Sequence, residues 1–197
     1  MGRVKSAFEK AMEKVADIGA LTPEEKEKLE DQEKIKLILS EFFKRQIDRD
    51  GLWQKLKGSK PFFLKEMQQH LIDSLGLGSN PEEFQLRKEG ILAIETLKQK
   101  QNVSTIEQTL NSMKVLQKDF QAGKDRAEEQ LREAIESNPQ LRVRPVKTPD
   151  GRTVLQAAYS VDEAVQARLA EFMSAHEEEY SQKFARLIEK LKKEASR

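Results

Sequence analysis

Residues 103–134 read VSTIEQTLNSMKVLQKDFQAGKDRAEEQLREA, and the spacing of their apolar residues decides the fold. Apolar side chains recur at alternating intervals of three and four residues, which is the period of one helix face. Kept over about four heptads, this pattern predicts a long helix with a coiled-coil seam. Gln117 and Lys124 place polar side chains in that seam, which weakens it but can fix its register. The seam positions are Val103, Ile106, Leu110, Met113, Gln117, Phe120, Lys124, Ala127, Leu131 and Ala134.

The start of this helix has two alternative places in the sequence. Asn80 and Pro81 form a cap and a first-turn proline, and no glycine–proline punctuation follows before Asn138. From Asn80 the helix would have nearly sixty residues and a length of roughly 80 to 85 Å at 1.5 Å per residue. Ser104 and Glu107 form a second capping-box pattern, so a break near residues 101–103 is the alternative.

The residues after this helix predict a β-hairpin at about residues 140–158. Apolar and basic residues alternate from Leu141 to Lys147, a turn sequence follows at residues 149–151, and an extended pattern returns to residue 157. Pro145 marks its strand as an edge strand. Ser160 then opens a last helix that continues through Leu191. Two long helices joined in this way are expected to reverse direction and pair antiparallel.

The first 78 residues predict a small helical module. An apolar face at residues 4–18 predicts a first helix, and Thr22-Pro23 opens a second that ends near Asp48 or continues to Lys57. A shorter helix is predicted over residues 62–75. The predicted fold class is therefore mainly α, with a module at residues 1–78 and a long helix–β-hairpin–long helix segment, antiparallel and coiled-coil-like, at residues 79–197. The apolar positions of the first helix are Val4, Phe8, Ala11, Val15 and Ile18.

Composition narrows the class of protein. Charged residues make up 35% of the chain and aromatic residues 6%, which is typical of long helices that bury one stripe and solvate the rest. A net charge of +1 gives no global basic excess of the kind that nucleic-acid binders often carry. Neither a signal-peptide pattern nor a membrane-spanning apolar run is found, so we expect a cytoplasmic protein that does not enter a membrane.

No catalytic, cofactor-binding or metal-binding residues are predicted. The absence of cysteine excludes disulfides, thiolate nucleophiles and Cys-based zinc sites. Neither His70 nor His176 has a glutamate three residues before it, as a di-iron helix bundle requires. Residues 76–79, Gly-Leu-Gly-Ser, lack the lysine of a phosphate loop. The sequence therefore predicts that the protein is not an enzyme and needs no cofactor.

Two clusters are candidate contact surfaces. Arg142, Arg144, Lys147 and Arg152 concentrate positive charge in the predicted hairpin, where they would contact an anion or nucleic acid, or protect an exposed strand edge. We favour edge protection, because no aromatic residue lies among them to stack on bases.

The second cluster, Trp53, Phe62 and Phe63, lies among lysines and is a candidate partner-docking surface. We favour the interpretation that these three close the core of the module, since a small module needs its aromatic residues inside.

The predicted function is that of a non-enzymatic helical interaction or scaffold protein. It is expected to self-associate through its long helices and hairpin, as a homo-oligomer such as a dimer, and to bind an unidentified protein. One alternative is a holdase-like chaperone, because two helical arms joined through a hairpin resemble prefoldin subunits in layout alone. A second alternative is a nucleic-acid-binding protein that uses the basic hairpin.

Overall fold

The protein, described here by a computed structural model over residues 23–157 and 160–196, is built from helices. The predicted helix at residues 4–18 lies outside the described residues. A short 3-10 helix, Pro139–Arg142, and two strands, β1 (Val143–Lys147) and β2 (Thr153–Ala157), connect the last two helices. The α-helices are α1 (Pro23–Phe43), α2 (Arg49–Leu56), α3 (Pro61–Asp73), α4 (Pro81–Glu95), α5 (Val103–Ser137) and α6 (Val161–Ala195).

The second predicted helix is two helices separated by a corner. The first of them, α1, ends at Phe43, and Arg45 adopts a left-handed backbone conformation with φ of 57°. Asp48 then caps α2, its side chain accepting a hydrogen bond of 2.8 Å from the backbone N–H of Gly51. Because the cap satisfies a free donor at the start of α2, the chain begins a new helix there instead of extending α1.

The stretch from Asn80 to Asn138 is also divided, near the alternative break at residues 101–103, although Asn102 and not Ser104 precedes the second helix. The helix that begins at Pro81 ends at Glu95, and the next begins at Val103. The Asn80 side chain accepts a hydrogen bond from the backbone N–H of Glu83, as expected for a cap. The prediction of one continuous helix of nearly sixty residues is therefore wrong.

One apolar core joins the first four helices to the near ends of α5 and α6. It contains fully buried side chains of α1 to α4 together with Leu110 of α5 and Leu191 of α6. The predicted domain boundary after residue 78 stays a prediction, and this core contains residues from both sides of it. Representative buried members are Ile35, Phe42, Leu52, Met67, Leu71, Phe84 and Ile94. We call this part of the molecule the module.

Beyond the module, α5 and α6 continue side by side in antiparallel directions. Asn102 is hydrogen-bonded to Glu194 at 2.7 Å at the module end, and Arg132 pairs with Asp162 at 2.6 Å at the far end. A second apolar cluster of Ile135, Ala164 and Val165 lies at that far end. We call residues 123–137 and 161–177 the arm and residues 138–157 the tip. No described residue of the arm belongs to the module core.

The predicted fold class is wrong. The chain is a helical protein in which the near ends of α5 and α6 complete the module core, so these helices do not form a helix–β-hairpin–helix segment that follows it. The strands are five residues each, pair only with one another among the described residues, and serve as a connection between α5 and α6. Sequence periodicity shows which helix face is apolar, but it does not show which element covers that face.

Two helical glycines should respond to alanine in opposite directions. A Cβ at Gly90, buried in α4, would lie 2.8 Å from Phe42 Cε1 and 2.9 Å from Leu71 Cδ1, whereas a Cβ at Gly123 in α5 meets no atom within 4 Å. Gly123→Ala should raise the free energy of unfolding by about 0.5 to 1 kcal/mol through helix propensity. Gly90→Ala should lower it, because overpacking costs about 1 to 3 kcal/mol and outweighs that gain. Urea denaturation followed by circular dichroism measures both, and an equal effect of the two substitutions would contradict the packing described for α4.

Candidate functional site

The four basic residues of the tip lie close together along the chain but belong to different elements. Arg142 ends the 3-10 helix before β1 and is half-buried, so it is not part of the strand alternation. Arg144 and Lys147 are three residues apart on β1, at positions paired with Gln156 and Thr153. Positions three apart in a strand belong to opposite faces. The positive charge of the tip is therefore divided among the 3-10 helix, β1 and the turn.

The turn between the strands carries its own negative charge. The Thr148 hydroxyl and the backbone N–H of Arg152 donate hydrogen bonds to the Asp150 carboxylate, and in that order they hold its pKa below the ordinary value. Asp150 also lies 3.6 Å from the Arg152 guanidinium. Gly151 has a φ of 82°, the left-handed conformation that glycine adopts without strain. Part of the positive charge of the tip is thus compensated within the turn.

The aromatic cluster predicted for partner docking is divided between the core and the surface. Phe63 is 7% exposed and belongs to the module core, whereas the adjacent Phe62 is 48% exposed. Trp53 is half-buried, and the Lys57 ammonium lies 5.2 Å from the centre of its ring. These side chains therefore have three different surroundings, and their role as a docking surface stays a prediction.

A groove that the sequence did not indicate lies where α5 leaves the module. Its volume is about 510 Å³, and it is bounded by the connection between α3 and α4, the start of α4 and the middle of α5. Leu77 and Phe120 supply its apolar surface above the buried Phe84, and Lys114 and Lys118 lie on its α5 side. The groove joins segments some forty residues apart, for which a single sequence gives no signal.

Gln117 was predicted to lie in a seam between two helices, but its side chain binds the connection between α3 and α4 instead. Its side-chain amide donates a hydrogen bond of 2.6 Å to the backbone oxygen of Gly76. This bond joins α5 to the connection between α3 and α4, beside the groove. Lys124, the other polar seam position, is exposed.

The part of the chain that the structure describes contains neither a candidate metal site nor a candidate membrane-spanning helix. No group of three or more histidine, aspartate or glutamate side chains there is arranged to hold a metal ion. None of the helices described is both long enough and apolar enough to cross a membrane.

These features define a helical protein with a compact module and an antiparallel two-helix arm. The chain belongs to DUF6657, a family of unknown function, whose sequence profile matches residues 51–193. The match therefore includes the groove, the arm and the tip. No curated protein and no solved structure matches the chain.

The pKa of Asp150 offers a direct test of the turn geometry. Thr148→Val removes the hydroxyl donor and should raise the pKa of Asp150 toward its ordinary value. Because the folded-state pKa is depressed, the stabilisation of the turn is present above the unfolded-state pKa and is lost as the pH falls through the folded-state value. Carboxyl-carbon NMR titration measures the shift, and Thr153→Val serves as the control because Thr153 makes no hydrogen bond to Asp150. An unchanged pKa in Thr148→Val would show that the hydroxyl does not bind the carboxylate.

Proposed function

We propose that the protein is a non-enzymatic, cytoplasmic interaction protein that self-associates through the tip of its arm. The observation that carries the proposal is the difference between the two edges of the strand pair. One edge has the features that prevent strand pairing, and the other has none. The next steps derive that difference from the register.

The register decides which backbone groups point away from the pair. The backbone N–H of Thr148 donates to the oxygen of Arg152 at 2.8 Å, so these two residues form a hydrogen-bonded pair. Hydrogen-bonded and non-hydrogen-bonded pairs alternate along an antiparallel ladder. Pro145, paired with Leu155, therefore occupies a non-hydrogen-bonded position, where a backbone N–H would point outward. Because proline lacks that N–H, the outer edge of β1 is missing a donor.

The outer edge of β1 is protected in a second way by charge. Arg144 and Lys147 both lie on this strand. Charged residues and proline on an edge strand hinder pairing with another chain. An additional strand is thus disfavoured on the β1 side.

The outer edge of β2 has neither protection. Its residues Thr153–Ala157 read TVLQA, without charge or proline. The non-hydrogen-bonded positions of β2 are Thr153, Leu155 and Ala157, which alternate with the hydrogen-bonded ones as Pro145 does on β1. The backbone N–H and C=O groups of these residues therefore point outward. In the described part of the chain β2 pairs with β1 alone.

A second copy of the same strand fits this edge. Two β2 strands pairing antiparallel about Leu155 would place Thr153 of each opposite Ala157 of the other, with no charged residue across the junction. The result is a sheet of four strands with the protected β1 strands outside. Three or more strands are needed for independent stability, and a two-stranded pair is marginal in water. Self-association would therefore stabilise the tip.

The arm supports this role by holding the tip away from the module. Its helices are joined at the far end by the Arg132–Asp162 ion pair and by the packing of Ile135 against the start of α6. The Arg168 guanidinium donates to the backbone oxygen of Leu141 at 3.2 Å and so fixes the 3-10 helix to α6. Two copies can then meet at their tips without contact between their modules.

Leu155→Pro tests the proposal because it gives β2 the same protection that Pro145 gives β1. The substitution removes an outward N–H and leaves the inward ladder in place. The wild-type chain is expected to have twice the mass of one chain in light scattering coupled to size exclusion, and Leu155→Pro the mass of one chain. Leu155→Ala is the matched control, since it shortens the side chain and keeps the N–H.

Circular dichroism of both variants must show unchanged helix content. A wild-type chain that stays monomeric over the accessible concentration range would contradict self-association. A Leu155→Pro variant as dimeric as the wild type would place the contact elsewhere.

A further inference from the structure

The face of α5 that borders the groove forms a stripe with helical spacing. Lys114, Lys118, Gln121 and Asp125 line the groove and follow one another at intervals of four, three and four residues. Residues so spaced lie on one side of a helix. The stripe covers about three turns, or roughly 16 Å at 1.5 Å per residue. The groove therefore follows the helix axis.

The apolar surface of the groove comes from the other wall as well as from α5. Phe84 is fully buried beneath it, while Leu77 and Phe120 are half-buried. The Phe120 ring is fixed by Tyr180 of α6, with ring centres 5.3 Å apart. Leu77 and the Phe120 ring therefore offer an incoming side chain a preformed apolar contact.

The wall opposite α5 is held by local hydrogen bonds. The Ser79 hydroxyl accepts a bond of 3.1 Å from the backbone N–H of Gly76, and the Gly76 oxygen accepts the Gln117 amide. Asn80 caps α4 directly after this turn. The groove is thus formed before any partner binds, which lowers the entropy cost of binding.

The charges along the groove are unequal at its two ends. Lys114 and Lys118 lie one helical turn apart, and neither has an ion pair or a side-chain hydrogen bond within the described residues. Asp125 lies at the other end and accepts a bond of 2.7 Å from Gln121. The Lys114 end also borders Pro81 and Glu82 in the first turn of α4, where Glu82 is paired with Arg45 at 3.0 Å. The two lysines of α5 therefore supply the positive charge that makes this end of the groove complementary to carboxylates.

We propose that this groove binds an acidic amphipathic helix of a partner protein. The apolar face of that helix contacts Leu77 and Phe120, and its acidic residues contact Lys114 and Lys118. A helix suits the site because the groove runs parallel to α5 over about three turns, the geometry of helix-in-groove recognition. The proposal rests on residues of the module and of α5 and is independent of the tip.

The test uses a fluorescein-labelled 18-residue helical peptide with leucines at alternating intervals of three and four and glutamates beside them. Fluorescence anisotropy should show saturable binding to the full-length protein that weakens as salt is added. The scrambled peptide of the same composition, and the peptide with lysine in place of glutamate, should bind at least tenfold more weakly. Equal binding of the three peptides would overturn the proposal.

Two variants locate the binding surface. Lys114→Glu combined with Lys118→Glu should reduce affinity for the acidic peptide at least tenfold, whereas Lys44→Glu combined with Lys124→Glu changes the same charge outside the groove and should have little effect. Ala122→Trp, at an exposed lining position, should fill the groove and abolish binding without disturbing the core.

Equal losses in the groove variant and the control variant would overturn the proposal, because they would show a response to net charge alone. Stronger binding of a single-stranded oligonucleotide than of the peptide would also overturn it. If Ala122→Trp reduced the oligomer mass, the occupant would be a second copy of this chain, and the assignment to a different protein would be wrong.

Discussion

The arrangement of the helices depends on one buried carboxylate. Glu95, at the end of α4, is 1% exposed, and it accepts hydrogen bonds from Gln68 at 2.9 Å and from the backbone N–H of Asn102 at 2.7 Å. The Lys98 ammonium lies 2.8 Å away. A buried charge without partners would cost several kcal/mol, on the order of 3 to 5 when one partner of a buried pair is removed. The chain between α4 and α5 is therefore drawn into a turn that supplies those partners.

This turn sets the direction of α5 and holds the end of α6 beside it. The Lys98 ammonium donates to the backbone oxygen of Ala195 at 2.5 Å, and Asn102 contacts Glu194. The near ends of the two long helices are thus attached at the same place. From there α5 passes the Gly76 turn, where Gln117 binds, and continues into the arm. The position of the groove and the direction of the arm both follow from this attachment.

Local signals in the sequence predicted the places where helices begin. Pro81 and the Ser160 capping box begin helices as expected, and the break between α4 and α5 was one of two alternatives. Tertiary partners were not predictable, because they depend on segments distant in the chain. The Gln117 amide binds a backbone oxygen forty-one residues away, and two adjacent phenylalanines, Phe62 and Phe63, differ in burial. The fold class was wrong for the same reason, since no pattern within α5 or α6 shows that their near ends complete the module.

The distance between the tips of two copies tests self-association most directly. The chain has no cysteine, so a spin label can be placed on Arg152→Cys in the exposed turn or on Lys44→Cys in the module. Pairing of β2 strands about Leu155 separates the two Arg152 positions by about six residues along the sheet, or about 20 Å at 3.4 Å per residue. The account predicts a short, well-defined distance between tip labels in double electron–electron resonance and none between module labels. A short distance between the module labels, or none between the tips, would contradict it.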